Sequence, residues 1–292
     1  MPEEYAHPEY LAETSWLADH LDDPDLRVFD CTVDMTNDPV KGYSIQNGRP
    51  KYEASHIAGA AFIDLLDDFK DLDHPLNFML PPADRFVYLA SQYGIGDGST
   101  VVLYNAGPTW WATRMWWNLR AHGFDNAKVL NGGYEKWVAE GLPTRTGDER
   151  YSEASFQSRP REGLIVGQDA VLAGIDDPST ALLNALSPEL HRGERVQYGR
   201  PGHIKSSVNV PARTLLEDET FAFKPAAELA AAFAPSGVME ASKVVTYCGG
   251  GISGTTDLFA LALLGHEGVQ LYDASMAEWG RDGSLPMETG DS

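Results

Sequence analysis

The two halves of this chain match one another, and that repeat constrains the fold more than any other feature. SHIAGA at 55–60 answers GHIKSS at 202–207, VVLYN at 101–105 answers VVTYC at 244–248, and VLNGGYEKW at 129–137 answers QLYDASMAEW at 270–279. The intervals between these blocks agree to within a few residues, His56 to Asn105 against His203 to Cys248, and Asn105 to Trp137 against Cys248 to Trp279. A length of 292 residues accommodates two copies, each of about 130–150 residues. We expect a first domain over 1–145, a second over 160–292, and a linker at about 146–159, inside the polar, aperiodic stretch PTRTGDERYSEASFQSRPREG.

Each half alternates strand and helix patterns. Strand-like runs are LRVFD, TVVLY and AKVL in the first half, and TALLN, KVVTY and GVQLY in the second. Helical patterns cover about 14–22, 83–93, 110–122 and 133–141, then 225–234, 253–264 and 275–281. Strands alternating with helices predict an α/β fold in which each domain is a parallel sheet with helices on both faces.

The two cysteines, Cys31 and Cys248, make neither a disulfide framework nor a zinc spacing, so each is judged alone. Cys248 ends an apolar strand and is followed by GGGISG and then by the helical run TTDLFALALLG. The C-terminal end of a parallel strand feeding a helix is a usual ligand position. The loop Gly249, Gly250, Gly251, Ile252, Ser253, Gly254 can turn its N–H groups inward, and the following helix adds the positive end of its dipole. Such a cradle favours anionic sulfur, either a thiolate or a persulfide, with the Ser253 hydroxyl as a further donor. The plain alternative is a buried, inert cysteine before a flexible connection; the strand end, glycines and helix start together favour a nucleophile. Cysteine phosphatases use a similar loop but need an arginine six positions after the cysteine, where this chain has Gly254. Asn105 occupies the corresponding place in the first half, which predicts one active site, in the second domain.

A net charge of −21 argues against a nucleic-acid partner or an anionic membrane surface. An anionic substrate then needs a locally basic mouth, and RGERVQYGRPGHIK supplies Arg192, Arg195, Arg200 and Lys205 against one acid, Glu194. No run approaches the roughly 20 apolar residues of a membrane span. The acidic start MPEEYAHPEYLAE does not read as a secretory signal, so a cytoplasmic location is expected. Trp110, Trp111, Trp116 and Trp117 are expected as core between the domains, and the first domain as a wall of the cleft. Cys31 is expected to be structural, and His56 and His203 to orient backbone.

Taken together, these motifs resemble the tandem-domain rhodanese and 3-mercaptopyruvate sulfurtransferase family along nearly the whole chain. YEASHIAGA (52–60) is similar to the N-terminal signature Y-x3-H-I-P-G-A, with Ala58 in place of proline. VQLYDASMAEW (269–279) is similar to the C-terminal signature V-x2-Y-D-G-S-W-x-E-[FW], with Ala274 and Met276 substituted. YCGGGIS (247–253) resembles the Y-C-G-S-G-V-T loop of mercaptopyruvate enzymes more than the C-R-K-G-V-T loop of thiosulfate enzymes.

The resemblance implies two rhodanese-like domains and a ping-pong reaction. Cys248 takes a sulfane sulfur from a small anionic donor, 3-mercaptopyruvate or thiosulfate, and passes it to a thiol, a thioredoxin-like protein or cyanide. It implies no cofactor and no metal. Arg192 matches the second arginine of the family's carboxylate clamp, whereas Leu186 stands at the first. Gly250 replaces the loop serine and Phe78 the histidine of the proton relay, leaving Asp64 as the remaining relay acid. These departures keep a second reading open, a non-catalytic sulfur carrier or binding module that retains the loop.

Overall fold

The computed structural model describes residues 2–38 and 42–291. They form two compact units. One comprises Glu9–Arg161 with Glu217–Ala222, and the other Glu162–Leu216 with residues 2–8 and 223–291.

The first unit runs β1 (Leu11–Ala12), α1 (Thr14–His20), β2 (Leu26–Asp30), β3 (Val33–Asp38), β4 (Gly42–Asn47), α2 (Arg49–Ala54), β5 (His56–Ile57), β6 (Ala61–Phe62), α3 (Ala83–Gln92), β7 (Thr100–Tyr104), α4 (Trp110–Ala121), β8 (Ala127–Leu130), α5 (Gly133–Ala139) and β9 (Thr144–Arg145). Its main sheet is parallel with order β1-β8-β7-β2-β6. The second unit runs β10 (Ile165–Val166), α6 (Gln168–Ile175), β11 (Thr180–Asn184), α7 (Pro188–His191), β12 (His203–Ile204), β13 (Val208–Asn209), α8 (Ala226–Phe233), β14 (Lys243–Tyr247), α9 (Gly254–Leu263), β15 (Val269–Tyr272), α10 (Ser275–Trp279) and β16 (Met287–Glu288). Its main sheet is also parallel, with the same topology, β10-β15-β14-β11-β13. Each unit is therefore an α/β domain with a five-stranded parallel sheet.

The central strands are continuous apolar runs because both faces of a parallel sheet are covered. Val101, Val102 and Leu103 of β7, and Val244 and Val245 of β14, are buried. The duplication extends to single hydrogen bonds. Ile57 N donates to the Tyr104 hydroxyl at 3.2 Å, and Ile204 N to the Tyr247 hydroxyl at 3.1 Å. The indoles of Trp137 and Trp279 donate to the carbonyls of Pro143 and Pro286 at 2.9 and 3.1 Å. Truncating such a buried tryptophan to alanine costs about 3–5 kcal/mol. His56 and His203, both fully buried, hold the carbonyls of Tyr52 and His191 through Nδ1 at 2.8 and 2.7 Å.

Among the described residues, the antiparallel pair β3·β4 has no counterpart in the second unit. Residues 146–159 form neither strand nor helix, yet they are bonded to the first unit. Tyr151 donates its hydroxyl to Gly59 O at 2.7 Å, Ala154 N donates to Ser91 O at 3.0 Å, and Arg159 N to His122 O at 2.8 Å. Trp111, Trp116 and Trp117 are buried with ring neighbours in their own unit, Phe78 for Trp111 and Tyr10 for Trp116. Among the described residues no helix is long and apolar enough to cross a membrane.

Candidate active site

Cys248 directly follows β14, the central strand of the second sheet, and is 2% exposed. The loop 249–253 then turns into α9, all ten residues of which are buried. A helix apolar nearly all round belongs inside a core, so α9 anchors the loop from behind.

Three sets of bonds shape the loop. The Ile252 N–H donates to Cys248 Sγ at 3.2 Å. The carbonyls of Cys248 and Gly249 are drawn away from the sulfur by the N–H groups of Met276 and Ala277 in α10, at 3.1 and 2.8 Å. Ser275 Oγ accepts from the N–H groups of Cys248 and Gly251 at 3.1 and 3.2 Å, and donates to Tyr272 O at 2.8 Å. Ser275 has φ +50°, a left-handed conformation that costs a side-chain-bearing residue energy unless its surroundings hold it there; these bonds do so. With these two carbonyls tied to α10, the loop offers the Ile252 N–H to the sulfur. Gly249 and Gly250 have no hydrogen-bond partner for their N–H groups among the described residues.

The glycines have separate reasons. A Cβ on Gly249 would lie 1.9 Å from the Tyr198 hydroxyl oxygen, whereas Gly251 has a φ of +73°, a conformation that favours glycine. A Cβ on Gly250 would meet nothing within 4 Å. The partly exposed residues of the loop are Gly250, Ile252 and Ser253, which form its mouth.

The first unit has the opposite loop. Asn105 Nδ2 donates to the carbonyls of Ala106, Gly107 and Pro108 at 2.9, 3.3 and 2.9 Å, and Asn105 Oδ1 accepts from Ala112 N at 3.0 Å. Carbonyls converge there, so that loop suits a donor and repels an anion. Cys31 is fully buried, and burial together with the neighbouring Asp30 pushes its thiol well above the ordinary cysteine range. Such a thiol is a poor nucleophile.

Two of the four basic residues proposed for the mouth, Arg192 and Arg200, are engaged by neighbours. The Arg192 guanidinium meets Glu194 through Nε at 2.7 Å and Nη2 at 3.1 Å, and Asp291 through Nη1 at 3.7 Å. Arg200 donates to the carbonyls of Trp279, Leu285 and Gly280 at 2.8, 2.8 and 3.4 Å, so it braces the segment after α10. Arg195 and Lys205 are exposed. Leu186, partly buried, packs on the small cluster of Ala185, Ala212 and Cys248. His191 beside this segment is held neutral: burial, then repulsion from His203 and Arg192, lowers its pKa to about 4.

Asp64 and Phe78, the two first-unit positions considered for a proton relay, are held by neighbours in their own unit. Asp64 accepts from the N–H groups of Leu66 and Asp67 at 2.9 and 2.8 Å and from the Asn47 amide. Phe78 is 7% exposed, with its ring 5.2 Å from that of Trp111 and its carbonyl held by Arg114. Sequence reasoning missed Ser275, Tyr198 and Asp257. Ser275 was visible as part of the YDAS turn, whereas Tyr198 approaches Gly249 only through the fold, and Asp257 lay inside a helical run.

The comparisons agree with this architecture. The rhodanese-like domain family matches residues 13–140 and 168–282. The chain is 33% identical over 301 residues to the sulfur carrier protein TtuD of Thermus thermophilus, covering 98% of this chain and 99% of that protein. It is 30% identical over 283 residues to the 3-mercaptopyruvate sulfurtransferase of Escherichia coli, covering 96% and 98%. The crystal structure of SseA from Escherichia coli superposes with a TM-score of 0.80 at 28% identity, over 91% of this chain and 98% of that one. The duplicated α/β domains and these relatives together place the chain in the tandem-domain rhodanese family, as a sulfurtransferase of the thiosulfate and 3-mercaptopyruvate type.

Proposed function

We propose that Cys248 is the nucleophile and carries the sulfur as a persulfide. The observation that carries this reading is the Ile252 N–H aimed at Sγ at 3.2 Å, in a loop whose nearest carbonyls are tied away. A hydrogen bond to a charged group contributes about 1.5–3 kcal/mol, and it serves thiolate and persulfide alike. With thiosulfate, the Cys248 thiolate attacks the outer sulfur, the new Sγ–S bond forms, the donor S–S bond breaks and sulfite leaves with the electron pair. With 3-mercaptopyruvate, the thiolate attacks the thiol sulfur, the C–S bond breaks, and the proton released from sulfur ends on carbon as pyruvate forms. Cyanide or an acceptor thiolate, including that of a thioredoxin-like protein, then takes the outer sulfur and regenerates the Cys248 thiolate. Action on small anions in the cytoplasm completes the reading.

Donor recognition is where this chain departs from the family pattern. Leu186 supplies no charge beside Cys248, Arg192 is neutralised by two acids, and Gly250 and Phe78 carry no relay group. We infer that both donors turn over slowly, with 3-mercaptopyruvate slightly favoured by the uncharged loop. Gly249–Gly254 form the sulfur cradle, and Arg192, Arg195, Arg200, Lys205 and Asp64 are its candidate accessory residues. The same features favour a second reading, a sulfur carrier loaded by another protein, which the sequence relation to TtuD supports. Steady-state turnover with both donors tests the choice: kcat/KM at or above about 10⁴ M⁻¹s⁻¹, typical of dedicated enzymes, contradicts the inference of poor donor recognition. Absence of turnover with persistent loading from a protein persulfide selects the carrier.

A further inference from the structure

Asp257 lies in the first turn of α9, which begins six residues after Cys248. It is fully buried, and among the described residues neither carboxyl oxygen has a hydrogen-bond partner. Helical side chains lean toward the helix N-terminus, which directs this carboxyl toward the back of the glycine loop. An unpaired carboxylate in a dry interior is expensive, so the group keeps its proton. Burial first, and then the negative charge of Cys248, push its pKa well above the carboxylate range.

The groups on the surrounding elements are accounted for. On β14, Lys243 is exposed at the start of the strand, and Tyr247 shares its hydroxyl with Ser207 and Ile204. On β15, Tyr272 donates to Glu278. On the 3₁₀ turn Ala212–Leu215, Arg213 donates to the Leu216 carbonyl. At the far end of α9, the backbone of Ala6 and His7 meets Leu263 O. After burial, the charge on Cys248 is the next cause that raises the Asp257 carboxyl.

We propose that Asp257 is a positioning residue for Cys248: its protonated carboxyl is an uncharged neighbour behind the loop, and its ionisation closes the loop to anionic sulfur. Two negative charges in one low-dielectric space exclude each other, so an anionic sulfur on Cys248 and an ionised Asp257 oppose one another. The linkage is reciprocal. An anion on Cys248 holds the proton on Asp257, and loss of that proton disfavours the thiolate and the persulfide. The proposal rests on the reading that Cys248 carries the sulfur, and it adds an alkaline limit to the reaction.

The test follows the protonated carboxyl band of Asp257 by infrared difference spectroscopy of the full chain, with ¹³C-aspartate labelling, in the wild type and in Cys248→Ser. The band should persist through neutral pH in the wild type and vanish at least about one pH unit lower in Cys248→Ser, where no thiolate opposes ionisation. No protonated band at neutral pH, or equal midpoints in the two proteins, overturns the proposal. The second readout is the pH profile of kcat/KM with thiosulfate. The wild type should decline on the alkaline side and Asp257→Asn should not, while the two agree near neutrality within about threefold. An identical alkaline decline in both proteins overturns the proposal. If Cys248 accepts no sulfur from any donor, the sulfurtransfer mechanism fails, and the infrared comparison still decides the role of Asp257.

Discussion

Replacing Leu186 with arginine puts a guanidinium beside the cysteine at a position whose backbone is already fixed. Leu186 N donates to Asn184 Oδ1 at 3.0 Å, and its carbonyl accepts from Asn209 Nδ2 at 2.9 Å. Its side chain packs on the small cluster of Ala185, Ala212 and Cys248. Leu186 is only partly buried, so Leu186→Arg loses limited packing and should cost about 1 kcal/mol of stability. A charge-assisted hydrogen bond to the donor carboxylate contributes about 1.5–3 kcal/mol, which at about 1.4 kcal/mol per tenfold raises kcat/KM for 3-mercaptopyruvate by roughly 10- to 150-fold. Thiosulfate lacks the planar carboxylate that an arginine fork grips in two places, so its gain should be smaller. The assay is kcat/KM for both donors in the wild type, Leu186→Arg and Leu186→Gln, the last separating lost packing from added charge. Equal gains for the two donors, or no gain for 3-mercaptopyruvate, would refute the idea that a missing carboxylate contact limits this donor.

Arg192→Ala should lower kcat/KM by no more than about tenfold, because Glu194 and Asp291 already neutralise the guanidinium; a larger loss, measured with either donor, would show that the ion pairs open when the donor binds. Gly249→Ala should abolish sulfur loading through collision with the Tyr198 hydroxyl, and Gly249→Ala with Tyr198→Ala should recover part of it; equal loss in both variants would remove Tyr198 from the explanation. The pKa of His191 falls to about 4 in the folded chain, from an ordinary value of 6.5. Its contribution is present above pH 6.5 and is lost as pH falls toward 4, because the unfolded chain takes up the proton first. The acid limb of stability against pH should therefore be shallower in His191→Gln, by about one proton between these values; denaturant titrations at several pH values check this.

The sheet strands were legible because a parallel strand covered on both faces must be a short unbroken apolar run, and TVVLY and KVVTY are such runs. The cysteine loop was legible because a thiol at a strand end, glycines and a helix start follow one another in sequence. The pair β3·β4 escaped notice because DMTND and GYSIQN are polar and carry no strand signal. The partners of the charged residues were not legible. Arg192 and Arg200 read as available cations, but their partners include Asp291 and the carbonyls of Trp279, Gly280 and Leu285, about 80 or more residues away. Asp257 carried the converse lesson: a lone acid in TTDLFALALL resembles an exposed helix position, and only the burial of the whole of α9 reveals it as an interior acid.

The most direct test of the account is the intact mass of the protein after incubation with thiosulfate or 3-mercaptopyruvate and removal of excess donor. A gain of about 32 Da, one sulfur, is expected, mapped to Cys248 and removed by cyanide or thiol. The same gain is expected in Cys31→Ser and none in Cys248→Ser. A sulfur adduct that survives in Cys248→Ser, or one lost only in Cys31→Ser, would contradict the placement of the chemistry at the end of β14.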